Sequence, residues 1–149
     1  MRIVIQRVTR ASVSIEGRVE SAIEKGMMVL LGVGYADTDD DIDWLVKKTI
    51  NLRIFDDSEG VMNLSVKDVE GSILVVSQFT LMASCKKGNR PSYIHAASPD
   101  VSVPLYERFC QRLSESLGKP VSTGIFGADM QVELVNDGPV TIVIDSKDK

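Results

Sequence analysis

The chain has 149 residues, 44% of them hydrophobic, with 17 basic and 21 acidic side chains and a net charge of −4. That length suits one domain over residues 1–149, able to bury a core without disulfides or metal. The charge argues against broad phosphate binding, but allows a nucleic acid held at one end by a few residues.

No apolar run approaches the length that spans a bilayer. Met1-Arg2-Ile3-Val4-Ile5 goes straight into a strand pattern with no signal-peptide layout. Cys85 and Cys110 form no CxxC motif, which predicts two free thiols in a reducing, cytoplasmic setting.

Residues 2–8 alternate and predict a strand. The pattern resumes at Val13 and Ile15, and Glu16-Gly17 predicts a tight turn into Arg18–Ile23. After a break at Lys25-Gly26, the apolar run 27–34 predicts a central strand. Its Gly32-Val33-Gly34 lacks the third glycine of a dinucleotide fingerprint, because Asp37 stands there. The acidic run 37–43 is not a calcium loop, since Ile42 occupies the position that needs glycine. It reads instead as the start of a helix over 38–52, capped by Thr38 or a neighbouring Asp. Ile42, Leu45, Val46 and Ile50 fall on its apolar face.

Asp56–Gly60 predicts a turn. Ser72–Val76 predicts a buried strand whose character changes abruptly at Ser77, Gln78 and Thr80, three hydrogen-bonding side chains where a buried strand wants none. Residues 85–99 form a loop too long to be a mere connection. Pro99 and Pro104 mark the start of a second helix, with Leu105, Phe109, Leu113 and Leu117 on one face; Gly118 and Pro120 end it. Val121–Ile125 predicts a strand. Gln131–Val135 and Val140–Ile144 predict two more, and the spacing makes Asn136–Pro139 a four-residue hairpin turn. The expected class is α/β, with mixed and antiparallel strands and two main helices packed on one side.

The familiar catalytic kits are absent. His95 is the only histidine, and no GxSxG elbow, HExxH pair or GxxxxGK[ST] loop occurs. Cys85 lies beside Lys86 and Lys87, a setting that suits a reactive thiol, but it has no clear partner. Three polar clusters remain: Ser77–Thr80, Lys86–Ser92 and Asn136–Pro139. Taken singly, they read by default as a loop cap, a solvated loop and a hairpin turn.

Taken together, Ser77-Gln78-Phe79-Thr80-Leu81, Gly88-Asn89-Arg90-Pro91-Ser92 and Asn136-Asp137-Gly138-Pro139-Val140-Thr141 resemble the D-aminoacyl-tRNA deacylases. Met1–Val8 and Gly124–Met130 match as well, so the resemblance covers essentially the whole chain. Tyr93 departs from it, standing where the family favours phenylalanine.

The resemblance implies a three-layer β/β/α fold, and a homodimer with active sites at the subunit interface. The implied reaction is hydrolysis of the ester between a D-amino acid and the terminal adenosine of tRNA. Glycyl-tRNA is a second implied substrate, L-aminoacyl-tRNA is rejected, and no cofactor or metal is called for. By the same analogy Ser77, Gln78 and Phe79 line the site, and Phe126 and Met130 hold the adenine region. Gly138-Pro139 matches the family's cis-proline motif, inserted from the partner, and Arg7 matches the arginine that steadies it. Lys86, Lys87 and Arg90 are candidates for phosphate contacts.

An aminoacyl ester is already activated, so positioning and oxyanion stabilisation matter more than a strong nucleophile. Backbone amides near Gln78 and Phe79 are the expected oxyanion donors, with the neighbouring ribose hydroxyl helping to activate water. Thr80 as a covalent nucleophile is the rival mechanism, and it lacks a base. Two other readings stay open at this point: an RNA-end binding module without catalysis, and a small-molecule esterase using Cys85.

Overall fold

The computed structural model describes residues Met1–Lys149. The two strand segments expected near the N-terminus are one strand, β1 (Arg2–Ile15). After the Glu16-Gly17 turn the chain returns along the same edge of β1, first as β2 (Arg18–Ile23) and then as β3 (Gly26–Gly32). β2 pairs antiparallel with Ala11–Ile15 and β3 with Arg2–Val8. β6 (Ser72–Ser77) lies parallel to β3, and the short β7 (Ser122–Thr123) parallel to β6. β7 is much shorter than the strand expected over 121–125.

Two cores explain the layers. Ile3, Ile5, Met27, Val29, Leu31, Ile73 and Val75 point toward the helices and share a large core with them. The opposite face contributes Met28, Leu74 and Val76, which pack against Val8, Ala11 and Val13 from the far half of β1 and against Ile23 of β2. The far half of β1 and β2 therefore fold over the sheet as a second β layer. The Ser21 hydroxyl donates to the Thr123 carbonyl at 2.7 Å, bringing β2 against β7 and curling the sheet toward a barrel. Helices, sheet and folded-over strands make the expected β/β/α arrangement.

Helix α1 (Asp39–Asn51) starts as its sequence predicts. Thr38 is the N-cap, and its N–H donates to the Asp41 carboxylate at 2.8 Å. Helix α2 (Pro99–Leu117) ends at Gly118 in the left-handed conformation. Leu105, Phe109, Leu113 and Leu117 are all buried, each stabilising the fold by about 1.5–3 kcal/mol. Arg112 ties the helices together through Asp43 at 2.7 Å and Asp39 at 3.2 Å. A small hairpin, β4 (Phe55–Asp56) with β5 (Met62–Leu64), surrounds the expected turn. No helix is long and apolar enough to cross a membrane.

The expected C-terminal hairpin does not form. Residues 131–145 are one strand, β8, and both halves run antiparallel to β1. β1 is long enough to pair with all of it, so nothing forces the chain to turn back on itself. The register breaks in the middle: two steps along β1, from Gln6 to Val8, face five along β8, from Thr141 to Asn136. Three residues are therefore extruded as a bulge around Asp137-Gly138-Pro139.

Candidate active site

The site begins where the ladder between β3 and β6 ends. Leu31 pairs with Ser77, and the Gln78 N–H donates to the Leu31 carbonyl at 2.8 Å. A single 3-10 turn, Phe79–Met82, follows at once. The N–H groups of Phe79 and Thr80 open this turn and have no partner within it, its first bond running from the Leu81 N–H to the Gln78 carbonyl. The expected donor at Gln78 is thus already spent on the sheet, and the free pair is Phe79 with Thr80. The Gln78 side-chain amide donates to the Thr80 hydroxyl, so Thr80 holds the Gln78 side chain in place.

A pocket of about 270 Å3 opens at this strand end. It gathers Ser77, Gln78 and Phe79 with Phe126, Met130 and the backbone between them. Thr80 does not line it. The Gly124–Met130 segment folds locally to make the far wall. A Cβ on Gly124 would lie 2.4 Å from the Met130 sulfur, so a larger residue here would push the flexible Met130 side chain aside. Ala128 N–H closes a turn onto the Ile125 carbonyl at 3.2 Å. Phe126 meets Tyr106 edge-on at 5.7 Å, and the Tyr106 hydroxyl donates to the Val75 carbonyl at 3.2 Å. Helix α2 thereby fixes the wall relative to β6.

The second predicted group lies elsewhere on the same chain. Gly138 and Pro139 sit exposed on the β8 bulge, joined by a cis peptide bond, and neither lines the pocket. Arg7 is buried beneath them, only 8% exposed. Its guanidinium donates to the Asp137 carbonyl at 3.0 Å and the Ile54 carbonyl at 2.7 Å. Asn136 braces the bulge from within, accepting from the Val140 N–H and donating to the Thr141 hydroxyl, both at 3.1 Å. One chain therefore brings together Ser77, Gln78, Phe79, Phe126 and Met130, and separately Arg7, Gly138 and Pro139, but does not join the two groups.

Lys86, Lys87 and Arg90 are exposed on the 85–92 loop, which is pinned at its base by the paired Ser84 and Ser92. Cys110 lies on α2 away from the pocket, and burial pushes its thiol up to about 12 despite the Tyr106 hydrogen bond. It is not a nucleophile at neutral pH.

Residues 4–145 match the family described as D-Tyr-tRNA(Tyr) deacylase. The chain belongs to that family. It is 66% identical to the D-aminoacyl-tRNA deacylase of Bacteroides fragilis (strain YCH46), covering 100% of this chain and 99% of the relative. The D-aminoacyl-tRNA deacylase of Flavobacterium johnsoniae is 60% identical over the same shares. Among solved structures, the c-Myc DNA unwinding element binding protein superimposes with a TM-score of 0.93 at 42% identity, over 97% of this chain and 98% of that one. A "probable eukaryotic D-amino acid tRNA deacylase" shares the fold, with a TM-score of 0.82 at 20% identity over 96% and 97% of the two chains.

Some residues that shape this family member's site carry no recognisable chemical motif. Tyr106 reads as one more apolar helix position, and its bond to Val75 is invisible until α2 is docked. Gly127, Ala128 and Asp129 line the pocket through a turn whose only local sign is the glycine at position 127, where φ is +80°.

Proposed function

We propose that this protein hydrolyses the ester of D-aminoacyl-tRNA, releasing the D-amino acid and tRNA. It works as a homodimer in the cytoplasm, with each pocket completed by Gly138 and Pro139 of the partner subunit. One observation carries this reading: the separation, on a single chain, of a lined pocket from a braced and exposed bulge. A second copy supplies what either half lacks. The outer edge of β8 supports the dimer, since β8 pairs only with β1 and leaves Val135 and Val143 exposed.

In this reading the terminal adenosine rests against Phe126 and Met130, and the ester carbonyl points at the Phe79 and Thr80 N–H groups. Water attacks the carbonyl carbon, helped by the neighbouring ribose hydroxyl. The carbonyl oxygen takes up negative charge, and the two N–H groups stabilise it before they meet any competing acceptor. Collapse expels the ribose oxygen, which takes one proton of the attacking water; the other passes to solvent and leaves the free carboxylate. No acyl-enzyme forms, and Thr80 acts through Gln78 as a positioning residue.

Chirality follows from the bulge. Its backbone carbonyls hold the α-ammonium of the substrate, and the ester is fixed in the pocket. An L side chain then collides with the bulge whatever its chemistry, a D side chain points outward, and glycine has nothing to collide. Glycyl-tRNA is therefore a second substrate. The test is amino-acid release from matched D- and L-aminoacyl-tRNA and from glycyl-tRNA. Release from the D and glycyl substrates alone is expected. Release from none would sink the hydrolase reading, and equal release from D and L would sink the chiral one.

A further inference from the structure

A cleft of about 680 Å3, lined by the chain a few residues beyond the Ser77–Phe79 pocket, is more than twice that pocket's volume of 270 Å3. The chain itself links them. Phe79 forms part of the pocket, and residues 82–86, a few positions on, line the cleft. Tyr93 stands edge-on to Phe79 with ring centroids 5.1 Å apart, and the next two residues, Ile94 and His95, line the cleft as well. The antiparallel bridge between Gly34 and Ala96 sets Tyr35 beside His95 in register, and both line the cleft. An exposed aromatic pair, Phe79 with Tyr93, therefore stands between the segments that line the two hollows, and the larger has its own exposed ring in Tyr35.

The charge of the cleft opposes that of the chain. Its lining holds four cationic groups (the Met1 ammonium, Arg2, Lys86 and Lys147) against the carboxylates of Asp37 and Asp145. Asp37 pairs with the ammonium, Asp145 with Arg2 and Asp41 with Lys147. Lys86 has no carboxylate partner and stands free at the wall. Rings with free faces beside an unpaired cation are what single-stranded nucleic acid needs: stacking surfaces for bases and a charge for the backbone.

We infer that the cleft receives the unpaired nucleotides preceding the terminal adenosine of the substrate RNA. Their bases stack on Tyr35 and on Tyr93, and a phosphate meets Lys86. This rests on the deacylase reading above, because the adenosine must lie in the smaller pocket for its neighbours to reach the larger one.

The test compares two substrates and one ligand. Tyr35→Ala, a change at an exposed position, should raise KM for D-aminoacyl-tRNA by about 10-fold, with kcat unchanged. It should leave hydrolysis of the D-aminoacyl ester of adenosine alone unaltered, since that ester does not reach the cleft. Uncharged tRNA should bind the variant about 10-fold more weakly. Lys86→Ala should flatten the slope of log affinity against log salt by about 0.7. Unchanged tRNA affinity in both variants would overturn the inference, as would equal loss on tRNA and on the adenosine ester. If the parent protein hydrolyses neither substrate, the deacylase reading fails, while the binding measurements still decide whether the cleft takes RNA.

Discussion

Arg7 lies directly under Gly138: its Nη2 is 3.0 Å from where a Cβ on residue 138 would stand. The same guanidinium donates to the Asp137 carbonyl, and Gly138 has a φ of +127°, which L side chains rarely adopt. Gly138→Ala should therefore displace either the bulge or Arg7. We expect D-aminoacyl-tRNA hydrolysis to fall at least about 10-fold, with Tm lowered by only a few degrees. Arg7→Ala should cost more stability, about 2–3 kcal/mol, because the Asp137 and Ile54 carbonyls lose their donor. Thermal melts with single-turnover rates separate the two effects; full activity in Gly138→Ala would remove the bulge from the site.

Subunit complementation tests the two-chain site. Phe79→Ala disables the pocket and Gly138→Ala the bulge. Mixed dimers pair both defects in one site and leave the other intact. Unfolding and refolding the two variants together should restore about one quarter of parental activity. No recovery, with mixed dimers shown to form, would mean that pocket and bulge act within one chain.

The Gln78–Thr80 contact predicts how Thr80 acts. Thr80→Val removes the acceptor of the Gln78 amide and should slow turnover by about 3–10-fold, the equivalent of one hydrogen bond. Thr80→Ser keeps the hydroxyl and should restore most of the rate. Mass spectrometry of the quenched reaction should find no acyl adduct on Thr80. An adduct there would replace the water mechanism by a covalent one.

Asp41 links stability to acid pH. Burial pushes its carboxyl up, but hydrogen bonds from Ser146, Lys147 and Thr38 and the charge of Lys147 outweigh this and hold it well below the usual carboxylate range. A carboxyl lowered in the folded state adds stability that is present above its unfolded pKa of about 3.9 and is lost as pH falls below it. Asp41→Asn should cost about 2 kcal/mol at pH 7, or roughly 4–8 °C in Tm. The gap to the parent should narrow between about pH 4 and pH 2. A gap that stays constant over that window would mean that the pairing contributes nothing.

Much of this was legible in the chain. The 3.6-residue periodicity of Ile42, Leu45, Val46 and Ile50, and of Leu105 to Leu117, determined two helices and the faces they bury. Thr38 and Gly118 determined where those helices start and stop. The apolar run 73–76, broken by Ser77 and Gln78, determined that a strand ends in polar side chains. These signals are local: side-chain alternation and capping act within a few residues, so the order of residues is enough to read them.

Only the tertiary structure decided what each edge and donor meets. Asn136–Pro139 has the spacing of a hairpin turn, yet β1, more than a hundred residues away in sequence, takes both flanking segments as one strand and extrudes the turn residues as a bulge. The Gln78 N–H looked available until the β3 ladder claimed it, which moved the free donors to Phe79 and Thr80. Tyr35 and His95 carry no shared motif and come to line one cleft because Gly34 pairs with Ala96. In each case a backbone hydrogen bond between distant segments made the choice, and such a bond depends on the fold rather than on the residues at either end.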